Sequence, residues 1–134
     1  FLICVRTAWN DYFPGSSPSQ TFATTKYTTV QSTSSTNVFV SNCLFIGCTS
    51  TSNGGALSCS TSVQRLLVES SSFFSCSTSS VNGGAIYFSN TNNGESVLHK
   101  VCGNDCISTY TDGSSYGQFA RISVNDGILI KNYV

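Results

Sequence analysis

The sequence predicts an all-β fold, a parallel β-helix of about three to four coils of roughly 29 residues each. Three observations carry that prediction. First, the chain repeats itself. Asn37-Val-Phe-Val-Ser-Asn-Cys-Leu-Phe-Ile-Gly-Cys48 followed by Asn53-Gly-Gly-Ala-Leu57 is matched by Arg65-Leu-Leu-Val-Glu-Ser-Ser-Ser-Phe-Phe-Ser-Cys76 followed by Asn82-Gly-Gly-Ala-Ile86. Phe45 maps onto Phe73 at a spacing of 28 (73 − 45), and Asn53 onto Asn82 at 29 (82 − 53). Second, Val38/Val40, Leu66/Val68, Leu57/Cys59 and Ile86/Phe88 alternate with polar or small residues, the period of two of half-buried strands. Third, no window of good helix formers appears, and about three residues in ten are Ser or Thr.

Taken in order, residues 1–36 depart from the repeat and form an N-terminal cap or degenerate coil. Leu2–Val5 is a short strand, and Pro14–Pro18 is a turn. Trp9, Tyr12 and Phe13 are expected to plug the open end of the core or pack under a loop, in preference to forming a binding surface. The Thr-rich stretch 21–36 reads as a worn preceding coil with Phe22, Tyr27 and Val30 pointing inward. Repeats then occupy 37–63, 64–94, 95–118 and 119–134. Strands are expected near 38–41, 44–46, 56–60, 65–68, 72–75, 85–89, 96–101 and 119–124. Equivalent side chains of successive coils stack about 4.8 Å apart, so Phe45 should lie on Phe73, Cys48 on Cys76 and Leu57 on Ile86.

The corners Asn53-Gly54-Gly55 and Asn82-Gly83-Gly84 combine a residue free to take positive φ with a missing Cβ that lets the next coil approach. In the third coil Cys106 follows Cys76 by 30, which aligns Leu98 with Val68, puts Gly103 in the Phe column and matches Asp112–Tyr116 to Asn82–Ile86. Arg121–Val124 then aligns with Arg65–Val68, and Asn132 with Cys76, so that one column reads Cys48, Cys76, Cys106, Asn132. The repeat stops within a coil, so the chain is expected to be a piece of a longer helix in which Ile122, Val124, Ile128 and Leu129 are covered by further chain or a partner.

Phe45-Ile-Gly-Cys48 with Gly54-Gly-Ala-Leu57, and Phe73-Phe-Ser-Cys76 with Gly83-Gly-Ala-Ile86, resemble the paired F-x-x-N and G-G-A-[ILV] repeats of chlamydial polymorphic membrane proteins. Related β-helix repeats occur in surface proteins of parasitic protists. The resemblance covers about forty per cent of the chain and departs from the bacterial pattern by using Cys where Asn is usual. It implies a right-handed helix and an adhesin-like, cell-surface role, with a protein partner or neighbouring coils of the same chain against it and carbohydrate as a further class.

Composition narrows the function classes. Charged residues are 9% and the net charge is zero, with no basic run to track phosphates, which argues against nucleic acid. No apolar run approaches the ~18 residues of a membrane span. Seven cysteines are an odd number, so at least one is unpaired within the chain. Buried thiols in a ladder are favoured over inter-coil disulfides, and both over a zinc site drawn from the pairs Cys43/Cys48 and Cys102/Cys106, with His99 near the latter. No Asn is followed by Ser or Thr at the second position, which suits a surface without dense N-glycans or an intracellular assembly. Parallel β-helices also carry polysaccharide lyases and hydrolases, whose chemistry needs clustered carboxylates. Here Asp11, Glu69, Glu95, Asp105, Asp112 and Asp126 share no column on adjacent coils, while Glu69 aligns with His99 and Asn125. The sequence therefore reads as non-catalytic and without a cofactor: an adhesin-like interaction module, or alternatively a structural component of a filament or intracellular assembly.

Overall fold

The computed structural model describes residues 8–113 and 117–124, and the backbone of 130–133. Within them, short Ser/Thr-, Val- and Phe-rich segments form strands that pair in parallel in four sheets. The first sheet holds β1 (Gln20–Ala23), β4 (Asn37–Ser41), β8 (Arg65–Glu69), β12 (Glu95–His99) and β16 (Ile130–Tyr133) in that order. The second holds β2 (Lys26–Tyr27), β5 (Leu44–Ile46), β9 (Ser72–Phe74) and β13 (Cys102–Asn104). The third is short, with β6 (Thr49–Ser50), β10 (Ser77–Thr78) and β14 (Ile107–Ser108). The fourth holds β3 (Gln31–Thr33), β7 (Leu57–Cys59), β11 (Ile86–Asn90) and β15 (Ala120–Val124). From β4 onward the chain visits the four sheets in one order and returns to the first, so neighbours in a sheet lie one round apart. All eight expected strands are present within two residues, and the stretch 21–36 does contribute a preceding round.

Left-handed residues mark the corners. Thr24, Asn42, Ser70 and Lys100 lie between the first and second sheets, and Gly47, Ser75 and Asp105 between the second and third, all with φ between 46° and 63°. One residue at positive φ ends one strand and redirects the next, and short polar side chains or Gly tolerate it best. Inward side chains from the four sheets then meet in one core. Val38, Val40, Leu66 and Val68 come from the first sheet, Phe45 and Phe73 from the second, and Leu57, Cys59, Ile86 and Phe88 from the fourth.

The register corrects four expectations. Ile86 pairs with Ala120 and Phe88 with Ile122, so residues 117–120, not Asp112–Tyr116, stand opposite Gly83–Ile86. Arg121–Val124 consequently lies in the fourth sheet beside Tyr87–Asn90, not in the first beside Arg65–Val68. Asn132 pairs with Leu98, in the first sheet and outside the Cys column. The cause is an insertion of four: Thr78 to Ile86 takes 8 residues, Ser108 to Ala120 takes 12. An exposed loop absorbs extra length while the strands keep their pairing. Finally, Val30 is not an inward anchor; it is half-buried at the rim, and Thr33 is the buried residue of β3. Asn125, Ile128 and Leu129 lie outside the described residues.

The aromatic N-terminal segment does not plug the core. A short helix, α1 (Ala8–Tyr12), lays Trp9 and Phe13 on the outer face of the first sheet, against Leu67 and Val97 and the half-buried Phe39. These three strand residues alternate with the inward Val38, Val40, Leu66, Val68 and Leu98, so this sheet is apolar on both faces. Trp9 is completely buried, lies 4.8 Å from the Phe13 ring, and donates its indole N–H to Ser16 Oγ at 3.2 Å. The Arg65 guanidinium sits over Phe13 at 6.0 Å, closing the edge of the cluster.

Candidate interaction surfaces

The residues singled out by the repeat converge inside the sheets and hold the rounds together. Phe45 and Phe73 stack with centroids 4.6 Å apart and planes 1° from parallel, and Tyr27 extends the ladder to the opening round at 5.0 Å. Gly103 occupies the next position in register with Phe73. The space is filled from elsewhere: Phe119 meets Phe73 edge-on at 5.7 Å, and a Cβ on Gly103 would lie 2.5 Å from its ring. The worn repeat thus keeps its aromatic column by borrowing a ring from a different position.

Cys48, Cys76 and Cys106 stand at equivalent corners, immediately before the paired Thr49, Ser77 and Ile107. Each thiol points at the carbonyl of the aromatic position one round earlier: Tyr27 O at 3.5 Å, Phe45 O at 3.8 Å and Phe73 O at 3.4 Å. It also reaches the carbonyl two residues before its own, at Ile46, Phe74 and Asn104. A buried corner leaves carbonyls short of donors, and a thiol supplies a weak one without adding bulk. Asn could serve the same position, which gives a physical sense to the Cys-for-Asn exchange. The six described cysteines are free thiols, all buried except Cys102. Burial raises Cys48 above the usual thiol range and pushes Cys59 up to about 12. Among the described residues, no three His, Cys, Asp or Glu side chains converge as a metal site.

The Asn-Gly-Gly segments form a further column. Asn82 Nδ2 donates to Asn53 Oδ1 at 3.2 Å, and Ser80 Oγ to the same oxygen at 2.7 Å. Gly54 and Gly83 take φ of 78° and 65°, Gly55 and Gly84 lie outside the left-handed region, and none of the four has room for a Cβ. The first glycine of each pair is thus required by both conformation and space, the second by space alone.

Three of the acidic side chains go to separate surface contacts. Glu95 pairs with Arg65 at 2.7 Å, Glu69 accepts from Ser41 Oγ at 3.1 Å, and Asp105 accepts from Ser75 Oγ at 3.1 Å. Glu69 does align with His99, and the next position in that sheet is Tyr133 rather than Asn125.

Two features escaped the sequence. One is the outer apolar face of Leu67 and Val97; their place in Leu66-Leu67-Val68 and Val97-Leu98 was a signal of double-sided burial. The other is a hydroxyl column in the third sheet: Ser50, Thr78 and Ser108 hold equivalent inward positions, the latter two buried. Two-residue strands in a Ser/Thr background offer no periodicity to detect. Beside this column opens a hydroxyl-lined groove of about 480 Å³. Among the described residues no helix is long and apolar enough to cross a membrane. The chain matches no protein-family model, no curated protein and no solved structure.

Proposed function

We propose that the chain is a non-catalytic, adhesin-like interaction module, a right-handed parallel β-helix whose outer faces and rims meet a protein partner at a cell surface. The observation that supports this most is where the unusual residues are spent. The thiols of Cys48, Cys76 and Cys106, the Asn53–Asn82 pair and the carboxylates of Glu69, Glu95 and Asp105 bond to the chain's own carbonyls, amides, hydroxyls and guanidinium, while the outward positions of the third sheet carry the stacked series Thr49, Ser77, Ile107 and Thr51, Ser79, Thr109. Such an array offers an extended, nearly uncharged surface and free strand edges, the means by which β proteins associate. The repeat resemblance points the same way.

The test is direct. Fluorescently labelled chain should bind saturably to cultured epithelial cells or to a coated matrix protein, and unlabelled chain should compete. Release of reducing ends from polygalacturonate or other polysaccharides would overturn the non-catalytic part. Sedimentation as filaments with no saturable binding would replace the adhesin reading with a structural one.

A further inference from the structure

In the opening round the first, second and fourth sheets each have a strand, namely β1, β2 and β3, but the third has none. The cause is length. That round takes 18 residues (38 − 20), against 28 (66 − 38) for the next. Among the described residues β6 is therefore an edge strand. Ser77 and Ser79 donate their N–H to Cys48 O and Ser50 O at 2.9 and 3.0 Å, so the carbonyls on either side of Thr49 face β10. Successive residues of a strand direct their backbone groups to opposite sides, which turns the N–H and C=O of Thr49 toward the open edge. Along this edge runs the groove, walled by Val30, Ser32, Thr49, Thr51, Ser52 and Ser58.

The hydroxyl column supplies an independent observation. Thr78 Oγ1 donates to Ser52 O, and Ser108 Oγ to Ser80 O at 2.7 Å. Each hydroxyl thus donates to the carbonyl two residues past its own equivalent, one round earlier. Ser50 is set up identically: it accepts from Ser52 N at 3.0 Å as Thr78 accepts from Ser80 N at 3.0 Å. Its acceptor belongs to the strand that the opening round lacks, and among the described residues its O–H donates to no group.

We propose that the β6 edge is a docking site for an extended polypeptide segment, which joins the third sheet parallel to β6 and sets a carbonyl over Ser50 Oγ. The inference rests on the interaction-module reading and names the partner's chemistry. The segment carries small, uncharged side chains, because the positions it extends are Ser50, Thr78 and Ser108 and the groove wall bears no charge. An oligosaccharide fits less well: no aromatic ring lines the groove to stack on a sugar face.

The probe is a blocked peptide with the sequence of residues 74–82 carrying Cys76→Ser, which is this chain's own third-sheet segment. In an NMR titration of the 134-residue chain, the peptide should shift the amides of Thr49, Thr51, Ser32 and Ser58. N-methylation of its edge-facing amides should weaken binding at least about tenfold. Thr49→Pro removes the open-side donor of the edge strand, where Pro is tolerated, and should weaken binding similarly with the circular dichroism spectrum intact. If that variant does not fold, the N-methylated peptide decides alone. A peptide that does not bind, binds equally well when N-methylated, or shifts other residues overturns the proposal, as does a gluco- or chito-oligosaccharide that shifts these amides when the peptide does not. A chain that keeps its saturable cell binding but ignores the peptide loses only the β6 site. One that shows neither loses the interaction-module reading as well.

Discussion

Gly55→Ala adds a single methyl group and should remove most of the fold's stability. A Cβ there would stand 2.1 Å from Gly84 O and 2.6 Å from Ser77 O, both backbone atoms of the next round. Carbon and oxygen sit comfortably at about 3.3 Å, so the rounds must part locally by roughly 1.2 Å (3.3 − 2.1). Four hydrogen bonds cross that gap: Gly54 N to Asn82 O at 3.1 Å, Gly55 N to Gly83 O at 3.2 Å, and Ala56 N and Leu57 N to Ala85 O at 2.8 and 2.9 Å. Stretched by that much they lie outside useful hydrogen-bonding range. At about 1 kcal/mol each, their loss comes to about 4 kcal/mol, and residual crowding adds about 1–3 kcal/mol. A domain is stable by only about 5–15 kcal/mol in total. Gly47→Ala is the contrasting case, because that residue, unlike Gly55, has positive φ (63°) and its Cβ would meet nothing within 4 Å; it should cost about 1–2 kcal/mol. Urea denaturation followed by circular dichroism at the β-sheet minimum measures both. A Gly55→Ala chain within about 1 kcal/mol of the parent, or one less affected than Gly47→Ala, would refute the close-approach argument.

Three further outcomes are expected. Phe119→Ala should cost about 3 kcal/mol in urea denaturation, and adding Gly103→Phe should recover part of it, because the ring returns to the Phe73 column by the repeat's own route. Trp9→Ala should cost about 3 kcal/mol or more, and the emission of Trp9, the only tryptophan, should be blue-shifted until the first sheet loses its cover; red emission from the native chain would contradict the packing. In thiol labelling, exposed Cys102 should react first among the six described cysteines and Cys59 only on unfolding. Because burial raises the folded pKa of Cys59 from 9.0 to about 12, the neutral thiol's contribution is whole below pH 9.0. Above it, the unfolded chain loses the proton and the folded chain keeps it, so stability falls as pH rises toward 12. A Cys59→Val chain should show a shallower alkaline decline in a pH series of denaturation midpoints.

The sequence by itself determined the parts that depend on near neighbours in a repeating pattern. Phe45 on Phe73, Cys48 with Cys76 and Cys106, Leu57 on Ile86 and Leu98 on Val68 were legible because a column needs only a constant period and a like residue. The Asn-Gly-Gly corners were legible because positive φ and close approach both select Gly. Legibility ended where the period changed. Between Ser108 and Ala120 the chain spends four extra residues, and a period-two pattern reads the same in any sheet, so Arg121–Val124 looked like the first sheet and belongs to the fourth.

Tertiary structure alone decided three things. It placed Trp9 and Phe13 on the outside of the first sheet rather than in its mouth, since an aromatic cluster is equally content against any apolar surface. It filled the hole above Phe73 with Phe119, because a ring is held by available space and not by its position in a motif. Among the described residues it left one side of β6 without a neighbouring strand and the Ser50 hydroxyl without an acceptor, since backbone pairing is decided by how many residues a round spends, and an 18-residue round contributes no strand to the third sheet.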